Sequence, residues 1–261
     1  MTIRNWSLFL LIIGVLPGIN LSEGLAQDGG LDFEILLAEP GMSDLQVQRA
    51  YPARKESIQA KKQVFADEFS SCKNDEERAV VKERAKAFLS ESLLSEIVPL
   101  WEGTAWTFDG YTRKPREGNI ACGWFVQRVL EDLGFTLEKK RTKHPYFAQN
   151  WPKTMINGLD PYWAREIPAG ENSGVLRDSI MSFPNGLYLT GFALYEGDLG
   201  QHVGFLLKTA QDIYVIHSLG SVKKTSAENN SYYSGSTSIY LARLFHDSVI
   251  EAWILDRELE W

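Results

Sequence analysis

The chain has 261 residues, a net charge of −7, 44% hydrophobic and 12% aromatic residues, two cysteines and four histidines. It is apolar enough for a packed core, which argues against disorder, and it lacks the basic stripe of a nucleic-acid-binding protein. Two cysteines are too few for a disulfide framework, and no C-x-x-C pair marks a zinc site.

The first 26 residues read as a signal peptide. Arg4 gives a short basic start, residues 7–16 are nearly all apolar, and Gly24-Leu25-Ala26 offers small residues where signal peptidase cuts. Pro17-Gly18 breaks the apolar run too early for a membrane span. The expectation is an exported protein, periplasmic or extracellular, with no integral membrane span after cleavage. An uncleaved anchor is the competing reading of the same run.

Residues 27–42 form a loose entry. Ser43 can cap a helix expected to stop before Pro52, and a second helix is expected over about 54–70. The strongest early pattern covers 75–97. Asn74 suits an N-cap, acidic residues follow, and Val81, Ala85, Phe88, Leu89, Ser92, Leu93 and Ile97 recur at helical spacing. No linker separates this stretch from PLWEGTAWTFDG, so residues 27–100 are expected to be a helical extension packed on a domain spanning 101–261.

Residues 137–185 carry one expected helix, around Pro145 to Leu159, then a turn-rich stretch with Pro161, Pro168, Gly170 and Gly174. After Asn185-Gly186 come the short apolar runs LYLTGFALY, HVGFLLK, IYVIHSL, STSIYLARLF and VIEAWIL, which read as strands. Helices first and strands afterwards predict an α+β fold with an antiparallel sheet.

Between these regions lies GNIACGWFVQRVLEDLGF, residues 118–135, which reads as a turn followed by a helix beginning at Cys122. Phe125, Val126, Val129, Leu130 and Leu133 form its apolar stripe, with Gln127, Arg128, Glu131 and Asp132 opposite. Gly134 stands where a left-handed C-terminal residue belongs. Cys122 falls on the apolar stripe, which suits a small buried core residue. It also falls where unpaired N–H groups and the helix dipole stabilise a thiolate, lower its pKa and can hold an oxyanion. A bridge to Cys72 is a third possibility.

A cysteine nucleophile needs a base. Pairing Lys208 with Ile213 around the turn Thr209-Ala210-Gln211-Asp212 makes a hairpin in which Gly204 faces His217 and His202 faces Leu219. His202 and His217 then share a face as diagonal neighbours, with Cβ atoms about 7 Å apart, and Gly204 leaves room between them. Cys122, His202 and His217 are the parts of a nucleophile, a base and the group that orients the base. Surface or structural histidines are the plainer reading. No third ligand suggests a metal, and no cofactor is expected.

At these residues the sequence resembles the NlpC-type cell-wall peptidases of the papain-like cysteine peptidase superfamily, over about 101–255. The family's Asp-Cys-Ser-Gly-Phe corresponds to Ala121-Cys122-Gly123-Trp124-Phe125, its His-Val-Gly-apolar motif to His202-Val203-Gly204-Phe205, and its third polar residue to His217. Its Gly-Thr-Pro-Tyr segment resembles Gly103-Thr104-Ala105-Trp106, with Trp106 where a tyrosine often stands. The resemblance implies a papain-like fold and an exported peptidase or amidase whose partner is peptidoglycan or a related peptide. Cys122, His202 and His217 would be catalytic, and Trp106, Gly123, Trp124 and Gly204 would shape the substrate or oxyanion site. A degenerate envelope binding module and a cysteine transpeptidase or acyltransferase are the alternatives.

Overall fold

Ser43 opens the described fold with a capping box: its hydroxyl accepts from the Gln46 N–H, and the Gln46 side chain reaches back to the Ser43 N–H. The computed structural model describes residues 41–137, 164–168, 173–193 and 201–259, all within one compact unit, Leu31–Trp261. The signal-peptide segment and the helix expected around 145–159 lie outside the described residues.

Helix α1 runs without a break over Asp44–Ser71, so Pro52 does not end it, contrary to the sequence expectation. The helix is held on both sides of the proline. Val47 and Ile58 are buried, and Tyr51 donates to Asp132 at 2.7 Å while packing edge-on against Trp101. Tertiary contact outweighs the missing N–H, as it often does for local propensity. Helix α2, Asp75–Glu91, starts at Asn74, whose side chain accepts from the Glu77 N–H at 2.8 Å. It continues through a wide π-type stretch, Ser92–Ile97, into the short α3, Val98–Trp101.

Helix α4, Cys122–Asp132, ends as expected: Gly134 has φ +83°, and the Phe135 N–H donates to the Leu130 carbonyl at 3.0 Å. Its polar side is not solvated. Gln127, Arg128 and Asp132 are all buried. Asp132 collects Tyr51, the Trp101 indole N–H at 2.9 Å and Lys55 at 2.9 Å, so α1 and α3 grip the far end of the cysteine helix. A buried carboxylate with three such partners is satisfied.

The sheet has six strands in the order β1-β6-β2-β3-β4-β5, with every pairing antiparallel. The strands are β1 Ala164–Pro168, β2 Gly186–Ala193, β3 Gln201–Lys208, β4 Ile213–Leu219, β5 Ser221–Ser226 and β6 Ser238–Arg243. The fold is therefore α+β with helices and an antiparallel sheet. Three readings are corrected. The turn-rich stretch holds edge strand β1 and helix α5, Ser173–Met181. The polar SVKKTS is strand β5, and Ser231–Gly235 forms the short helix α6. VIEAWIL belongs to helix α7, Asp247–Ile254, because Val249, Ile250, Trp253 and Ile254 are buried at helical rather than alternating spacing.

Strand alternation divides the core. Val203, Phe205, Leu207 and Ile216 point to a layer shared with α1, α2, α4 and α7. Leu206, Ile213, Val215, Tyr188 and Phe192 face the other way, towards α5 and α6.

Candidate active site

The β3–β4 hairpin adopts the register expected from the sequence, with Lys208 opposite Ile213 and Phe205 opposite Ile216. Ladder pairing stops there. Beyond it, a Cβ on Gly204 would lie 2.6 Å from the Ile216 carbonyl oxygen and 3.0 Å from the His217 Cβ. Only glycine allows this approach, and it lets His217 lean across. His202 Nε2 and His217 Nδ1 are 2.7 Å apart, with the two rings nearly perpendicular. Both imidazoles are almost fully buried.

They lie on the sheet face opposite α4. Cys122 starts α4 on the other side, against the main core, and the backbone of Val203, the residue after His202, is among the groups that act on its sulfur. Ser218 holds the same corner, donating its hydroxyl to the Ile120 carbonyl at 2.8 Å. Ala121 provides no side-chain cap, so the first N–H groups of α4 remain available at the sulfur. Both cysteines are free thiols, so the bridge between Cys72 and Cys122 does not form.

The electrostatics correct one expectation. Burial pushes the Cys122 thiol up, and hydrogen bonds to the backbone of Val203, Gly123 and Cys122 do not offset it. The helix start therefore does not by itself yield a lowered thiol. Burial and the neighbouring His217 push His202 well below the ordinary imidazole value, while burial and Lys223 push His217 down to about 4. The thiol and both imidazoles are therefore held in their neutral forms at neutral pH.

Two residues join the site that sequence reading missed. Asn230, 3% exposed, places its Nδ2 at 3.1 Å from His217 Nε2. Tyr232 stacks on His202 with ring centroids 4.2 Å apart. Burial and then the Cys122 charge push the Tyr232 phenol up. Phe192 stacks on His202 at 6.1 Å. The signal that could have found Asn230 is its place as an N-cap before two tyrosines.

The remaining expected site residues divide. The Trp106 main-chain N–H donates to the Gly220 carbonyl at 3.1 Å, beside the Asn119-Ile120 segment that leads into Cys122, and its indole N–H is buried with no hydrogen-bond partner. Trp124 instead packs in the main core with the Arg128 guanidinium 5.0 Å over its ring. Gly123 is the second residue of α4, with its N–H at the sulfur. Among the described residues no cluster of three or more His, Cys, Asp or Glu could hold a metal ion, and no helix is long and apolar enough to cross a membrane. No family model, curated protein or solved structure matches the chain.

Proposed function

We propose that the chain is an exported cysteine peptidase or amidase on a papain-like, NlpC-type scaffold, acting on peptidoglycan stem peptides or related peptides. The observation that carries this reading is the buried pair of His202 Nε2 and His217 Nδ1 at 2.7 Å, in a chain that keeps a free thiol at an uncapped helix start.

The Cys122 sulfur attacks the amide carbonyl and forms a C–S bond. The developing oxyanion is met by the N–H groups of Cys122 and Gly123, and the unpartnered indole N–H of Trp106 is a further donor for this corner. His202 takes the thiol proton and delivers it to the leaving amine as the C–N bond breaks, with His217 orienting it. Water then attacks the thioester, releasing the acid and restoring the thiol.

A second reading, a binding module on the same scaffold, is favoured by one observation: burial raises the thiol rather than lowering it. Incubating the wild type and Cys122→Ala with muropeptides, followed by mass spectrometry, separates the two. The enzyme reading expects new fragments from the wild type alone, each cut at one amide bond. Absence of fragments across varied stem peptides, with binding intact, selects the module.

A further inference from the structure

Asn230 sits between β5 and α6 and is tied at both ends of its amide. Its Oδ1 accepts from the backbone N–H groups of Tyr232 at 3.1 Å and Tyr233 at 3.0 Å, capping α6. Backbone N–H groups can only donate, so this end of the amide must be the oxygen. The nitrogen therefore faces His217 Nε2 at 3.1 Å and the Thr225 hydroxyl at 3.0 Å.

The consequence runs along the chain of rings. An amide nitrogen only donates, so His217 Nε2 must be bare and a neutral His217 carries its hydrogen on Nδ1. That hydrogen points at His202 Nε2, 2.7 Å away, which must also be bare. A neutral His202 then holds its hydrogen on Nδ1, its remaining ring nitrogen.

We propose that Asn230 is a positioning residue that fixes the hydrogens of the imidazole pair and holds resting His202 as a donor towards Cys122. This rests on the reading of Cys122 as nucleophile. To receive the thiol proton, Nδ1 must first be bare, which moves the His202 hydrogen to Nε2. His217 Nδ1 must then accept, which moves the His217 hydrogen to Nε2, into the hydrogens of the Asn230 amide. Base-competent His202 is reached only by giving up the Asn230–His217 bond, so Asn230 acts as a latch on thiol reactivity. The titratable and charged groups at the pair are Lys223 from β5 and Tyr232 from α6, with Cys122 of α4 acting on Tyr232; Phe192 from β2 is apolar.

Nitrogen-15 NMR of the histidine rings in the full-length wild type tests the proposal without any variant. The expected result at neutral pH is hydrogen on Nδ1 of both rings and a bare Nε2 on each. Asn230→Asp keeps an oxygen for the helix cap and turns an acceptor to His217. There the His217 hydrogen is expected on Nε2, and alkylation of Cys122 at neutral pH is expected to rise about tenfold, the equivalent of one pH unit in the thiol profile. Wild-type His217 with its hydrogen on Nε2 overturns the proposal. So does an Asn230→Asp alkylation profile that overlays the wild type. Loss of the nucleophile reading looks different: alkylated Cys122 would leave muropeptide cleavage unchanged while the ring assignment stood.

Discussion

The two faces of the sheet are built from the same strands and do different work. On the α4 side, Val203, Phe205, Leu207 and Ile216 meet Phe125 and its neighbours in a layer that extends through α1, α2 and α7. On the other side, the alternating residues begin as apolar core, with Leu206 and Val215, and end in two buried imidazoles, His202 and His217. The first face holds the cysteine helix in place. The second adds to its own apolar core two groups that are costly to bury, His202 and His217. The imidazole pair and the cysteine helix are packed on opposite sides of the sheet, near the point where the β3–β4 ladder ends.

The largest expected effect lies on the packing face. Phe125 is fully buried, edge-on to Trp101 and to Phe205 at 6.0 Å. Phe125→Ala should cost about 3–5 kcal/mol in denaturant unfolding. An unchanged midpoint would mean that α4 is not anchored by this layer.

The imidazole face should show itself in pH. Both rings are depressed in the folded protein, His217 to about 4, whereas the unfolded chain takes up protons from about pH 6.5 downward. Their contribution is fully present above about pH 6.5 and is lost as pH falls from there towards 4. The slope is about 1.4 kcal/mol per pH unit for each ring. Thermal unfolding of the wild type against a His202→Asn/His217→Asn variant should show the slope flattened in the variant. Parallel curves would contradict the burial of neutral imidazoles.

Gly204 belongs to both faces, since the close strand approach and the His217 lean meet there. Gly204→Ala should lower stability by about 1–3 kcal/mol as Ile216 and His217 are pushed away. Because the displaced atoms carry the ring pair, muropeptide cleavage should fall further than the stability loss explains. A stable Gly204→Ala protein with full cleavage would break the link between the two.

What could be read in the sequence follows the same division. The cysteine helix and the β3–β4 register were legible because each is written in local periodicity, and the Gly134 terminus is a backbone requirement. α7 was misread because a short apolar run fits helix and strand alike, and the deciding cap, His246, is an unusual one. β5 was missed because an edge strand with a polar face has no alternation to detect. The unbroken α1 depends on contacts from Asp132 and Trp101, distant in sequence. Asn230 and Tyr232 reach the site because β5 and α6 return the chain to it, which no spacing records. The backbone groups at the helix start do lower the thiol, as its position implies, but burial of that end outweighs them, and the extent of burial is not written in local spacing.

The core of α2 and its continuation repeats every fourth residue, at Val81, Ala85, Leu89, Leu93 and Ile97, all buried. An α-helix advances about 100° per residue, so each step of four overshoots a full turn by about 40°. Left uncorrected, the stripe would spiral off the core before reaching Leu100 and Trp101. The wide coil over Ser92–Ile97 absorbs that drift. It resets the phase of the rod, so that Trp101 arrives facing Asp132 and the cysteine helix inherits its seat from a turn made thirty residues upstream.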